Sequence, residues 1–426
     1  MSLPRFLSSA FSGFEVVDFK EWLTEGRIDV YLRAHAERVW QCSRCHEPMP
    51  AARQGGKYPA RIEGMSIMGL RLFVHFWRER GYCIRCNKLR AERIDWISKE
   101  TPHLTAEYAW WLGRLCEIAA VSRIAEMFHR DETTLWRLDL ARMRRMLTQY
   151  KIPRVTAICV DEVYARKKSK FKGESRDERF FTVISDLKTH RVIWVAESRK
   201  KEALDQFFLL IGKDACSQIE VVATDQHEGY AASIAEHCPR ATHVWDRFHL
   251  MQVFLEAVNE TRKSIHGEQS PGSILQERTR GQYRYLFLKK AGRRTPEEKR
   301  HIDEVLLENR DCSRLELIKE RMLSLFDCQT ESEALPIWQE IGDWIWQAGF
   351  KPLMRWYANL EPQWKRLANY FRFRVTSALS EGINNVIKTL KRRAYGYKNM
   401  EYFRLKILQQ CGYLNSRYIP HHESLT

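Results

Sequence analysis

The chain has 426 residues, 44% of them hydrophobic and 12% aromatic, enough to bury the cores of two to four domains and too apolar for a disordered chain. Its 70 Lys and Arg outnumber 54 Asp and Glu, and the resulting net charge of +16 favours a polyanionic partner, most simply nucleic acid. No apolar run approaches the roughly 20 residues that span a bilayer, and "MSLPRFLSSAFSGFEVVDF" has neither a long apolar core nor a clear cleavage site. A soluble, cytoplasmic protein without signal peptide or membrane partner is therefore expected.

Residues 1–95 hold short alternating runs such as "LRLFVHFWRERGYC" and the cysteines that are paired by spacing, Cys42/Cys45 and Cys83/Cys86. One CxxC turn offers two thiolates to one Zn²⁺, and a second completes a tetrahedral four-sulfur site. The total of eleven cysteines is odd and most are scattered, which argues against a disulfide framework. With all four positions filled by protein, such a site is structural. The interval between Cys45 and Cys83 has room for a few strands, as in a zinc ribbon. His46 is a minor alternative ligand, and Arg44 and Arg85 lie inside the turns.

Residues 96–150 are helical in pattern. Ile124, Ala125, Phe128 and Leu135 suit an interior, and Ser122 and Asp131 suit caps of successive helices. The spacing predicts a helix-turn-helix whose second helix begins near Glu132 and offers Thr133, Thr134, Arg137 and Arg142 to DNA. A plain packed helical pair would carry the same pattern.

Residues 151–250 alternate strand-like and helical runs. "VTAICVDEVYA", "RFFTVISDL" and "HRVIWVAES" read as a meander; "IEVVATD" and "ATHVWDRF" read as further strands reached through helices, together a mixed sheet. Asp161 lies late in one apolar run and Asp225 closes another. A carboxylate ending a buried strand is costly unless it is paired, hydrogen-bonded or bound to a cation, and two such acids can share divalent ions. A turn or cap aspartate has the same local sequence.

Residues 251–370 read as a long helical region with Trp338, Trp344, Trp346, Trp356 and Trp364, chiefly packing residues, with base stacking open to one of them. Residues 371–426 contain "SEGINNVIKTLKRRAYGYKN". At 100° per residue, Ile383, Val386, Ile387 and Leu390 share one helical face, and Glu381, Asn384, Asn385, Lys388 and Arg392 the other. A first-turn acid favoured by the helix dipole would look identical. Two strand-end aspartates and a helix-borne glutamate beside cations fit two-metal phosphodiester chemistry with Mg²⁺, with Lys388, Lys391, Arg392 and Arg393 holding the DNA strand.

On these residues the chain resembles the ISL-three family of bacterial insertion-sequence transposases, over nearly its whole length and in the family's order. "EGINN" and "KRRAYGY" are its most specific stretches. The resemblance implies a multidomain α/β protein: a zinc ribbon, a helix-turn-helix, and an RNase-H-like mixed-sheet core interrupted by a helical insertion before the glutamate-bearing helix. It implies a catalytic DDE triad of Asp161 in "VDEVYARK", Asp225 in "ATDQHEGY" and Glu381, holding Mg²⁺ or Mn²⁺. Asp246 and His249 in "HVWDRFHL" are similar to a motif that supports the active site of related transposases. The implied partners are double-stranded DNA, as terminal inverted repeats and as target, and further copies of the chain in a homodimer or larger assembly at the bacterial nucleoid. The implied reaction hydrolyses the element ends and joins their 3′-OH groups to target DNA. An inactive DNA-binding regulator and a nuclease that cuts without joining are the alternatives. The lead-in "TSALSEG" departs from the expected polar turn.

Overall fold

The computed structural model describes residues 10–49, 56–166, 175–225, 227–270, 272–375 and 378–418, with only the backbone described at 274–275, 282 and 378–380. The chain divides into two compact units, Met1–Tyr150 with Tyr413–Thr426, and Lys151–Gly412.

In the first unit, period-two alternation builds a sheet from β1 (Phe14–Trp22), β2 (Arg27–Ala34), β3 (Lys57–Ile67), β4 (Leu70–Cys83) and β5 (Lys88–Ala91). The order is β1-β2-β4-β3, with β5 on β4; β2 and β4 are parallel and the other pairs antiparallel. Phe14, Val30, Leu32, Ile62, Leu72, Val74 and Phe76 form one core with Ile94 and Ile97. Trp96 packs edge-on against Phe11, Phe14 and Phe76.

Three helices follow: α1 (Ala106–Ile118), α2 (Val121–Met127) and α3 (Glu132–Gln149). The Thr105 side chain caps α1 and Asp131 caps α3, accepting from the Thr134 N–H at 2.7 Å. Ser122 is not a cap. The extended backbone at Ala119 and Ala120 starts α2 earlier, so Ala120 takes the cap position without a side-chain bond and Ser122 lies inside the helix. Leu112, Ile124, Ala125, Leu135 and Leu138 close the helical core, with Phe128 partly buried against it. Ser416 joins this unit through its N–H and hydroxyl, which donate to Glu117 at 3.1 and 2.8 Å.

The second unit is built on β6 (Ala157–Tyr164), β7 (Phe180–Asp186), β8 (Arg191–Ala196), β9 (Val221–Thr224) and β10 (Thr242–Trp245), in the order β10-β9-β6-β7-β8. The first three strands form an antiparallel meander. β9 runs parallel to β6 and β10 parallel to β9, reached through α4 (Lys201–Ser217) and α5 (Glu228–His237). Parallel strands covered on both faces read as continuous apolar runs, which is why "VVAT" and "AICV" show no alternation. Gly212, with φ 81°, kinks α4.

From β10 the chain enters α6 (Arg247–Gly267), then α7 (Ile274–Arg278), α8 (Pro296–Glu308), α9 (Arg310–Leu325), α10 (Glu331–Ala348), α11 (Lys351–Leu360) and α12 (Trp364–Phe373). Their core is continuous with Val221, Val244 and Trp245 of the sheet. Trp338 and Trp356 are buried, and Trp338 stacks on Tyr357 at 4.6 Å and Trp364 at 5.5 Å; Trp344 is partly buried and Trp346 is half-exposed. Two closing helices, α13 (Ala378–Arg393) and α14 (Met400–Cys411), pack on β6 and β8 respectively. No helix among the described residues is long and apolar enough to cross a membrane.

Candidate active site and four-cysteine centre

Cys42 and Cys45 sit in one tight turn, and Cys83 and Cys86 at the β4–β5 turn; each pair is followed by a residue in left-handed backbone, His46 (φ 65°) and Asn87 (φ 49°). The turns bring all four sulfurs within 4.8 Å of one another, with Cys42–Cys86 at 3.9 Å and Cys45–Cys83 at 3.3 Å. A tetrahedral ion with metal–sulfur bonds of about 2.3 Å needs sulfur pairs near 3.8 Å, the dimensions of zinc. Burial raises the Cys42 thiol, but the N–H groups of Cys45 and Arg44 outweigh it and hold it at about 7. Cys83, despite the Cys86 N–H, is pushed up to about 12 by burial and the neighbouring thiols, and Cys86 is raised as well; without a cation the cluster favours a single thiolate. His46 lies outside this group.

In the second unit the register pairs Cys159 with Ala223 and Thr224 with Trp245. Continued along the parallel strands, it sets Asp161 abreast of Asp225 and Asp246 on neighbouring strands about 4.8 Å apart. Asp225 and Asp246 directly follow β9 and β10, whereas Asp161 lies inside β6, which runs on to Tyr164 paired with β7, and does not close its strand as the sequence suggested. Asp161 is 9% exposed. Its Oδ1 accepts from the Glu162 N–H at 2.7 Å and its Oδ2 from the Asn384 amide at 2.8 Å. Burial pushes this carboxyl above the usual range, against the pull of the Glu162 N–H and His249. Asp225 turns its Oδ1 to the His227 N–H at 3.1 Å.

Asp246 caps α6, accepting from the Phe248 N–H at 2.9 Å and from His249 Nδ1 at 2.9 Å. That bond, reinforced by Asp161 and Asp225, raises His249 to about 9 despite its burial, so the imidazole is cationic at neutral pH. Glu381 is exposed on the first turn of α13, one turn before Asn384. The ligand oxygens of Asp161, Asp225 and Glu381 do not all come within 4.8 Å of one another. The backbone brings the two aspartates together, and Asn384 ties the glutamate-bearing helix to the first of them.

Two groupings were missed from the sequence. Glu162 accepts from Tyr230 at 3.3 Å and from Arg199 at 3.1 Å, and Arg199 also pairs with Asp177 at 2.7 Å. Burial and then Asp225 push the Glu162 carboxyl up. Its signal was an acid inside an apolar run, on the opposite face of β6 from Asp161. Asp205, Glu236 and His237 also cluster, but the Lys201 ammonium bonds to both acids at 2.8 and 2.7 Å and makes the cluster an ion-pair network.

Of the expected DNA contacts on α3, Thr133 and Arg137 are exposed, and Thr134 spends its N–H and hydroxyl on Asp131. Arg142 is a correction: it is 3% exposed, bonds to Glu117 at 2.7 Å and Asp139 at 3.3 Å, and lies over Trp110. It follows Leu135 and Leu138 on the inward face of the helix, so its charge is neutralised in the core.

On α13, Ile383, Ile387 and Leu390 are buried, whereas Val386 is 44% exposed. It lies at the margin of the apolar stripe, facing a cavity of about 800 Å³ that Ala157, Val221, Phe373 and Gly382 also line. Lys388, Arg392 and Arg393 are exposed; Lys391 donates to the Tyr164 carbonyl at 3.0 Å and anchors the helix to β6. In "TSALSEG", residues 376–377 and the side chains of 378–380 lie outside the described residues.

A family model described as transposase, that of the ISL-three group, matches residues 158–407, more than half of the chain and the span holding all of these acids. The transposase for insertion sequence element IS1001 of Bordetella parapertussis is 26% identical over 409 residues, 95% of this chain and 98% of its own length. The transposase for insertion sequence element IS1557 of Mycobacterium tuberculosis is 26% identical over 177 residues, 40% of this chain and 36% of its own. The chain belongs to the ISL-three family of insertion-sequence transposases.

Proposed function

We propose that the second unit is an RNase-H-like DDE nucleotidyl transferase that cuts DNA at the ends of an insertion sequence and joins the freed 3′-OH groups to target DNA. One observation carries the reading: Asp161 within β6 and Asp225 at the end of the adjacent parallel β9 stand abreast, and the helix bearing Glu381 is bonded to Asp161 through Asn384. The β10-β9-β6-β7-β8 order, an antiparallel meander followed by two parallel strands, supports the RNase-H-like assignment.

The donor set fits a hard divalent cation. Asp161 is a buried carboxyl whose charge is disfavoured by desolvation, and an adjacent cation restores it. Magnesium or manganese held by Asp161, Asp225 and Glu381 would supply the Lewis acidity that activates first a water and then a DNA 3′-OH toward the scissile phosphate. The two strands hold the aspartates rigidly, while Asn384 and Lys391 fix α13 along β6. Lys388, Arg392 and Arg393 orient the phosphates of the strand being cut. Asp246 and His249 support Asp161 and Asp225 as a charged hydrogen-bonded pair. Structural zinc at Cys42, Cys45, Cys83 and Cys86 stiffens the first unit, whose α2–α3 pair binds the terminal inverted repeats as a helix-turn-helix through Thr133 and Arg137, with Thr134 holding the Asp131 cap. A homodimer on DNA handles both ends.

The test incubates the purified protein with its element's end DNA and Mg²⁺, beside Asp225→Asn. Nicked and joined products that vanish in the variant support the reading. Nicks without joined products would make the protein a nuclease. Tight end binding with no product in Mg²⁺ or Mn²⁺ would make it a regulator.

A further inference from the structure

The helix that carries Glu381 ends in a strained turn that holds a ring in solvent. Past Arg393, the Tyr395 N–H donates to the Arg392 carbonyl at 3.0 Å and the Gly396 N–H to the Lys391 carbonyl at 2.9 Å, a Schellman cap. The pivot of such a cap adopts left-handed backbone, here φ 50° at Tyr395. Glycine is the usual occupant, because any Cβ there crowds the following carbonyl. This chain instead places tyrosine at the pivot and glycine one residue later, also with positive φ. Tyr395 is fully exposed, and its ring makes no ring contact or side-chain hydrogen bond among the described residues. The fold bears the strain of this tyrosine and gains no burial from it.

The surroundings select a ligand for the ring. At 100° per residue, Lys388 and Arg392 lie within about 20° of Glu381 around the helix, and Tyr395 follows Arg392 by three residues, in the turn just past the helix end. Both cations are exposed, and Lys398 follows them in the same state. The stripe thus starts at the carboxylate proposed to act on a phosphodiester, passes two cations and ends on a bare aromatic face. Cations that track a backbone, together with rings that stack on bases, are how proteins hold single nucleic-acid strands. A helical rise of about 1.5 Å per residue puts the turn that bears the ring about 20 Å from Glu381 along the axis, or about six nucleotide steps of roughly 3.4 Å. We propose that Tyr395 stacks on an unpaired base of the DNA strand that Lys388 and Arg392 guide to the active site, about six nucleotides from the phosphate that is cut. The proposal rests on the active-site reading above for its distance, but not for the stacking itself.

The test uses the full chain and end DNA carrying 2-aminopurine at one of several positions near the cut, read by fluorescence without added Mg²⁺. The wild type is expected to change the fluorescence at a position about six nucleotides from the cut. Tyr395→Phe should keep the change. Tyr395→Gly should abolish it and weaken binding about tenfold, with no fall in melting temperature, since glycine suits the left-handed turn. A Tyr395→Gly protein with wild-type affinity and fluorescence would overturn the stacking role. A wild type that gives the Tyr395-dependent signal but no Mg²⁺-dependent nick would uphold the stacking and overturn the catalytic reading instead.

Discussion

Replacing Arg142 with alanine separates two roles that one cation on α3 can have. The guanidinium donates to Glu117 at 2.7 Å and lies 3.3 Å from Asp139, which is 0% exposed. Removing one partner of a buried ion pair costs about 3–5 kcal/mol, and losing the packing on Trp110 adds to it. Set against a total stability of about 5–15 kcal/mol, this is a large share. At about 2–4 °C per kcal/mol for a unit of this size, the first unit should melt about 10 °C lower. Arg137→Ala is the control: the residue is exposed, so stability should stay within about 0.5 kcal/mol. The assays are thermal denaturation and end-DNA binding by anisotropy at several salt concentrations. Arg137→Ala should flatten the plot of log K against log salt by about 0.9, and Arg142→Ala should leave that slope unchanged at temperatures where it is folded. An Arg142→Ala protein as stable as wild type but weaker on DNA would refute the core placement and restore Arg142 to the DNA-facing surface.

Cys83→Ser should release one zinc per chain by metal analysis and unfold the β4–β5 turn, since structural zinc contributes about 10–16 kcal/mol in small domains; an unchanged melting curve after metal loss would remove the site's structural role. The Asp161 carboxyl titrates above its unfolded value of 3.8 because of burial, so its contribution to stability is full at low pH and is lost as pH rises through the folded value. Without divalent cations, Asp161→Asn should therefore melt above the wild type at pH 7, with the gap closing toward pH of about 4, and added Mg²⁺ should raise only the wild type. Equal melting at every pH would show that desolvation at Asp161 is fully compensated. Glu381→Gln should bind end DNA as tightly as wild type and lose cleavage by at least about 100-fold; normal cleavage would remove Glu381 from the site.

Much of the local chemistry was legible because it depends on residues close in sequence. The CxxC pairs, the Asp131 cap and the strand runs ending near Asp161, Asp225 and Asp246 each recur within a few residues, where backbone geometry has little freedom. Ser122, Arg142 and Val386 were misjudged for the opposite reason. Whether a polar residue caps a helix depends on where the preceding chain turns, and whether an arginine faces DNA or the core depends on what packs against it. Glu117 comes from another helix, and no local pattern names it as the partner of Arg142.

The sequence by itself determined the basic charge, the two CxxC pairs and the acids carried by apolar strand runs, because composition and short-range periodicity carry that information. Only the tertiary structure decided that Asp161, Asp225 and Asp246 stand abreast, that Asn384 closes on Asp161 from 223 residues away, and that Tyr395 stands bare at the end of the Glu381 helix. Strand register and the docking of α13 are set by burial of side chains far apart in the chain, a balance that no short stretch contains.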